Sequence, residues 1–209
     1  MMKGKNDKIR TFSPFTYHFL AFLVRICFRI CHPVIRVKGR ENLPPGAAVL
    51  CGNHSNLTDP IWVIAWAQLN RLPGTMAKKE LFGNALFRWF FAKVGAFPVD
   101  RGSTDISAIK NALQTLKDDN KLLIFPEGTR VRNGKKSEPH SGAIVIAHRR
   151  NAPIVPIYLS VNKGLFRPIH LIFGTPYTLD FRGEKPDGAA LEKAAEEMMA
   201  KIYNLGEQI

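Results

Sequence analysis

The apolar positions of this chain fall into short blocks that switch between two periods. VIRVKG (34–39) alternates with period two and AAVLCGN (47–53) is apolar almost throughout, so both predict strands, the second one buried. PIWVIAWAQLN predicts a helix that starts at Pro60. GTMAKK (74–79) predicts a strand, ALFRWFFAKVG an aromatic-rich helix ending at Gly95, and AFPV (96–99) a short strand. A helix from about Asp105 to Lys117 leads into the strand KLLIF. Beyond a polar loop, SGAIVIAHRR predicts a helix, APIVPIYL and HLIFG two more strands, and GAALEKAAEEMMAKIYNL a closing amphipathic helix. Strands alternating with helices predict an α/β domain built on a mixed, largely parallel sheet flanked by helices. Ligands of such sheets gather in loops beyond the strand carboxyl ends, and the polar clusters of this chain fall there.

The first 33 residues follow another pattern. A basic start, MMKGKNDKIR, leads into TFSPFTYHFLAFLVRICFRIC. Its unbroken apolar core, FLAFLV, is short, and no small-residue cleavage site follows. A spanning helix needs about 20 mostly apolar residues, and Arg25 and Arg29 interrupt this one. Four apart, they share a helical face, while Phe22, Ile26 and Ile30 point elsewhere. Such a helix suits a membrane interface, with arginines reaching lipid phosphates. The alternative is a helix packed on the domain's own core. The expected organisation is a membrane-associating helical segment over 1–33, lying in the interface, and one domain over 34–209.

Composition narrows the partner. The chain has 209 residues, 45% of them hydrophobic, enough for a single ordered core. Its formal net charge of +13 points to an anionic partner: nucleic acid, an anionic membrane or a phosphorylated substrate. A merely soluble basic surface is the plainer reading. Cys27, Cys31 and Cys51 fit no zinc pattern, and their odd number argues against a disulfide framework.

Three clusters carry candidate chemistry. In CGNHSNLTDP, His54 and Asp59 are five apart, which in one continuous helix would turn them about 140° from each other. Pro60 disfavours helical geometry at Asp59, so Asp59 is expected to be an N-cap and 54–59 a loop. A loop can fold the carboxylate onto one imidazole nitrogen and leave the other to accept a proton from an alcohol. From spacing alone, a helix cap with a satisfied loop histidine explains the pair equally well. The two residues lack a third ligand nearby, so no metal is expected. The second cluster is GAFPVDRGSTD, where Arg101 follows a short strand and could clamp a phosphate. The third is KLLIFPEGTR, where Gly128 allows a close backbone approach and Thr129 and Arg130 offer donors to an anionic oxygen. Glu127 could orient the arginine or accept a hydrogen bond from a substrate hydroxyl. A plain strand-to-loop turn closed by a Glu–Arg surface pair is the alternative. No nucleophile elbow, phosphate-cradling Walker loop or dinucleotide fingerprint occurs.

Taken in order, these blocks resemble the glycerolipid acyltransferase family. HSNLTD resembles its H-x-x-x-x-D motif, with Asn53 and Pro60 in keeping; GAFPVDR resembles the second block; FPEGTR matches the third in full; and APIVPIYL resembles the fourth. MAKKELF is similar to the segment between the first two. The blocks span about Val34 to Leu159, and the nearest likeness is to the lysophosphatidic acid acyltransferases (1-acylglycerol-3-phosphate O-acyltransferases). The resemblance implies that His54 is the general base and Asp59 its orienting partner. Arg101, Glu127, Gly128, Thr129 and Arg130 would hold the phosphate and glycerol end, and Pro153 to Pro156 would form a donor-side or structural wall. It implies acyl transfer from acyl-CoA or acyl-carrier protein to lysophosphatidic acid, giving phosphatidic acid, with no cofactor beyond that co-substrate. One departure is that relatives carry an aromatic residue and a lysine just before the glycine after the third block. Here Pro139, His140 and Ser141 precede Gly142, with Lys135 and Lys136 upstream.

The expected setting is a membrane bilayer, on the cytoplasmic face of a bacterial inner membrane, without spanning it. Other acceptors, such as another lysophospholipid or glycerol-3-phosphate, stay open, as does a non-catalytic binder of anionic lipid. Nucleic acid accounts for the charge but not for the motifs, and no nucleic acid partner is expected.

Overall fold

The computed structural model describes residues 12–100, 105–130, 138–181 and 185–209. Its strands are β1 (Ile35–Lys38), β2 (Ala48–Gly52), β3 (Gly74–Lys78), β4 (Ala96–Val99), β5 (Lys121–Ile124), β6 (Ile154–Leu159) and β7 (Ile169–Phe173). The helices are α1 (Pro14–Cys31), α2 (Asp59–Ala67), α3 (Ala85–Lys93), α4 (Ile106–Lys117), α5 (Gly142–Arg150) and α6 (Gly188–Glu207).

The strands form one seven-stranded sheet in the order β1-β7-β6-β2-β5-β3-β4. Five neighbours from β6 to β4 run parallel, β7 pairs antiparallel with β6, and β1 lies parallel to β7. The expected mixed, largely parallel sheet is therefore present, and its five parallel strands deliver their carboxyl ends to one edge.

Central position explains why β2 is apolar at every residue: Ala48 and Leu50 face one core, Val49 and Cys51 the other. The first core packs α1 and α2 on the sheet through Trp62 and Trp66; the second packs α4, α5 and α6. Pro156 stands inside β6, between two neighbours, where a missing N–H would ordinarily cost a ladder bond. Its carbonyl accepts the Gly174 N–H at 2.8 Å, and it lies one residue outside the β6–β7 ladder, which starts at Ile157 opposite Phe173, so the missing donor falls at the frayed end of that pairing. β6 is buried at every residue but Tyr158.

Ser13 Oγ accepts the Thr16 N–H at 3.2 Å and starts α1, with Pro14 in its first turn. One face of α1 packs inward: Tyr17 and Ala21 are buried, Tyr17 donates to Ile64 O at 2.8 Å, and the Phe28 ring lies 4.4 Å from that of Trp62. The other face leaves Phe15, Phe19, Phe22, Leu23, Ile26 and Ile30 exposed. The segment thus packs on the domain core along one face, as in the second expectation, and presents an apolar face outward. By length and composition α1 could also cross a membrane, with a mean hydropathy of 1.3 over its 18 residues. Beside it, α3 buries none of its residues and exposes Leu86, Phe87, Trp89 and Phe90. Phe12, leading into α1, meets Trp89 edge to face at 6.4 Å.

Candidate active site

The chain leaves β2 at Gly52 and enters a loop pinned at both ends. Asn53 imitates a backbone pair across to β6: its Nδ2 donates to Leu159 O at 2.9 Å and its Oδ1 accepts the Leu159 N–H at 2.8 Å. The next residue, His54, directs its ring Nδ1 to Asp59 Oδ2 at 2.9 Å. That same oxygen accepts the N–H groups of Ser55 at 2.6 Å and Asn56 at 2.7 Å. Asp59 was expected as the helix cap, and the structure corrects this. α2 begins at Asp59 itself, after Thr58, and the carboxylate folds back over the preceding loop instead of onto the N–H groups of the helix. Pro60 shares that first turn, where it needs no donor.

The loop buries what it binds. Asp59 has no exposed surface, and the His54 ring stacks on Phe125 with centroids 4.5 Å apart. Burial pushes the Asp59 carboxyl up, but the His54 hydrogen bond, the Lys163 ammonium and the Asn56 N–H together hold it below its ordinary value. An ionised Asp59 assigns the ring proton to Nδ1 and leaves Nε2 with a lone pair. Among the described residues, Nε2 makes no hydrogen bond.

The FPEGTR turn follows β5, the strand beside β2. Glu127 is buried, and its Oε2 accepts the backbone N–H of His54 at 2.7 Å. Its Oε1 accepts the hydroxyl of Tyr203, which reaches in from α6. Burial raises the Glu127 carboxyl above its ordinary value against these two hydrogen bonds. Gly128 adopts a left-handed φ of 64°, and a side chain there would run into the His140 ring. His140, which departs from the family pattern, also donates its backbone N–H to Pro126 O at 2.8 Å, so it closes this turn. Thr129 and Arg130 are exposed at the turn's outer end. Arg101, Lys135 and Lys136 lie outside the described residues.

Sequence reasoning missed two residues here. Lys163, in the β6–β7 loop, places Nζ 2.8 Å from Asp59 Oδ1, off the line of a hydrogen bond but within ion-pair reach. Tyr203 is the other, 76 residues from Glu127. The only sequence signal for Lys163 was its place just past a strand on the ligand-binding edge of the sheet. For Tyr203 there was none beyond a helical tail. Among the described residues, no group of three His, Cys, Asp or Glu could hold a metal ion. A second basic feature lies away from this site. It is a groove of about 820 Å³ between α1 and β1, with Arg25, Arg29, Lys38 and Arg40 over Phe22 and Trp66.

Residues 34–160 match the acyltransferase family model, a stretch that takes in β1 to β6 and both tied loops. The 1-acyl-sn-glycerol-3-phosphate acyltransferase of Bacillus subtilis (strain 168) is 34% identical over 184 residues, which are 84% of this chain and 91% of that protein. The protein of the same name from Streptococcus pneumoniae is 32% identical over 77% of this chain, which spans 61% of its length. The crystal structure of PlsC from Thermotoga maritima, a 1-acyl-sn-glycerophosphate acyltransferase, has the same fold. It superposes with a TM-score of 0.69 over 99% of this chain and 84% of its own, at 19% identity. With the family model covering the strands that carry the His54 and Glu127 loops, and a relative matched along nine-tenths of its length, the chain belongs to the acyltransferase family.

Proposed function

We propose that the protein transfers an acyl chain from a thioester donor to the free hydroxyl of lysophosphatidic acid, giving phosphatidic acid at a membrane surface. The observation that carries this reading is the 2.9 Å His54–Asp59 pair at the carboxyl edge of the sheet, in a chain whose relatives bear that activity in their names. His54 Nε2 takes the proton of the acceptor hydroxyl as its oxygen attacks the thioester carbonyl carbon. Asp59 stabilises the imidazolium so formed. The carbon–sulfur bond then breaks, and the leaving thiolate takes the proton back from the imidazolium. An ester and a free thiol result, with no acyl-enzyme between.

Phosphate and glycerol would meet Thr129, Arg130 and the backbone at Gly128, and the family resemblance adds Arg101 to this set. Glu127 acts from behind: bound by the His54 N–H and Tyr203, it ties the two loops together. Acyl-CoA and acyl-carrier protein offer the same thioester arm, and the site needs no further cofactor for this chemistry. Attachment to the bilayer would use the outer faces of α1 and α3, with the net charge of +13 drawing the protein to anionic lipid. An interfacial placement on the cytoplasmic face of a bacterial membrane suits both.

The test crosses radiolabelled acyl-CoA and acyl-carrier protein with lysophosphatidic acid, glycerol-3-phosphate and lysophosphatidylethanolamine, for wild type and His54→Ala. Phosphatidic acid formed by wild type alone, with vesicle binding equal in both, is the expected result. Acylation of lysophosphatidylethanolamine with lysophosphatidic acid untouched would move the assignment to another acceptor. Two equally inactive proteins that still bind anionic vesicles would make this a lipid-binding module.

A further inference from the structure

Lys163 has no part in the chemistry set out above, yet it is built into the same cluster. Its side chain is 3% exposed, a rare state for a lysine. Besides the 2.8 Å approach to Asp59 Oδ1, its Nζ donates to Ser55 Oγ at 2.7 Å. The loop that carries it is fixed on both sides. Asn162 Oδ1 accepts the Gly164 N–H at 3.1 Å, and the Phe166 N–H donates to Cys31 O at 2.8 Å, at the end of α1. The ammonium is therefore held in place by the fold.

Asp59 has only two oxygens, and their partners are divided. Oδ2 serves His54 and two backbone N–H groups, whereas Oδ1 faces Lys163. Titratable groups reach this carboxylate from three loops: His54 after β2, Lys163 after β6 and, more distantly, Glu127 after β5. A buried carboxylate near a second one tends to take up a proton unless a cation offsets it. A protonated Asp59 could no longer fix the His54 tautomer or stabilise an imidazolium. Beside the His54 hydrogen bond, the Lys163 ammonium opposes this, while burial draws its own amine below the ordinary lysine value against the pull of Asp59.

We propose that Lys163 is a positioning residue for the His54–Asp59 dyad. By pairing with Asp59 Oδ1 it keeps the carboxylate ionised and turned so that Oδ2 receives the proton on His54 Nδ1. The inference rests on the acyl-transfer reading for its kinetic arm only.

The test compares Lys163→Met, close in length but uncharged, with Lys163→Arg, which keeps the charge. Thermal melts identify a variant that fails to fold. In Lys163→Met, kcat should fall roughly 10- to 100-fold while KM for lysophosphatidic acid moves by less than about twofold. Its acidic limb should also shift to higher pH, because without the cation the dyad binds its proton more readily. Lys163→Arg should keep the limb at the wild-type position. A Lys163→Met enzyme with unchanged kcat and limb would overturn the proposal. So would a loss that is the same at every pH and is shared by Lys163→Arg, since Lys163 would then only fill space. An acyl group trapped on Ser55 would also overturn it, because Lys163 would be needed as a neutral base. If wild type acylates no acceptor, the functional reading fails, but this one is still decided by imidazole nitrogen NMR on histidine-labelled protein. The dyad of Lys163→Met should take up its proton at higher pH than that of wild type, and superimposable titrations would refute the role.

Discussion

The loop around His54 and the outer faces of α1 and α3 both break the ordinary rule of apolar inside and polar outside, in opposite directions. In and around the loop, His54 and Asp59 are withdrawn from water together with Lys163 and Glu127 from neighbouring loops, and the two carboxylates are each met by more than one partner. On the helices, Phe15 is largely exposed and Phe19, Phe22, Trp89 and Phe90 each leave about half of their surface in solvent. The first departure costs free energy unless every buried polar group finds its complement, so it persists only where geometry is tightly specified. The second costs little per residue but leaves a surface that a lipid phase would cover. Fixed polar geometry suits chemistry, and loose apolar exposure suits attachment to a fluid surface.

Separating the two is the strongest way to test this contrast. Asp59→Asn keeps the shape but removes the charge that fixes the tautomer, and should lower turnover by about 10²- to 10⁴-fold while vesicle binding stays as in wild type. It also leaves the Lys163 ammonium buried and unpaired, a loss of about 3–5 kcal/mol of stability measurable by denaturant titration. An Asp59→Asn protein that lost vesicle binding as well would show that the two regions are not separable.

Next in size is the converse change. Phe19→Ser, Phe22→Ser and Ile26→Ser together remove side chains that would each contribute about 1.5–3 kcal/mol on full burial. Flotation with anionic vesicles should show at least about a 100-fold fall in partitioning, with the melting temperature little changed. Deleting all of α1 is a poorer test, because Tyr17 and Phe28 cover Trp62 and Ile64. Unaltered flotation would assign attachment to α3.

A smaller effect lies in the turn that joins site to core. Gly128→Ala places a β-carbon in a left-handed backbone and against His140, and should cost about 1–3 kcal/mol by thermal melting. Adding His140→Ala should restore the steric share and leave the backbone share.

The smallest is a slope with pH. Glu127 has a carboxyl raised by burial, so the folded protein holds that proton longer than the unfolded chain. Wild type therefore gives up stability as pH climbs from the ordinary carboxylate range through the raised folded value. Glu127→Gln lacks this slope, so its advantage in melting temperature should grow as pH climbs out of the ordinary carboxylate range and level off once the folded carboxyl has ionised. A difference that stays constant as pH rises above the ordinary carboxylate range would mean that Glu127 is not the group titrating.

Much of the fold could be read directly from the residues, because local pattern reports burial. Period-two and fully apolar runs marked β1, β2, β5 and β6, and the order of strands and helices implied a largely parallel sheet with its site at one edge. The motif residues around His54 and Glu127 were likewise visible as polar clusters at strand ends. Strand order was not visible, since nothing local tells β6 to pair with β2 rather than β5. Nor was the antiparallel turn at β7, or the fact that α2 starts at Asp59. Spacing also left cap and dyad equal for His54 and Asp59, since either would use the same five-residue interval. The loop conformation brings the two side chains together, and contacts that spacing cannot show come from far along the chain: Lys163 stands 104 positions from Asp59, and Tyr203 76 from Glu127. The sequence by itself determined the strands, helices and motif residues, because these follow from short-range periodicity and chain stiffness. Only the tertiary structure decided which charges share one desolvated pocket, because that depends on how distant loops meet at the sheet edge.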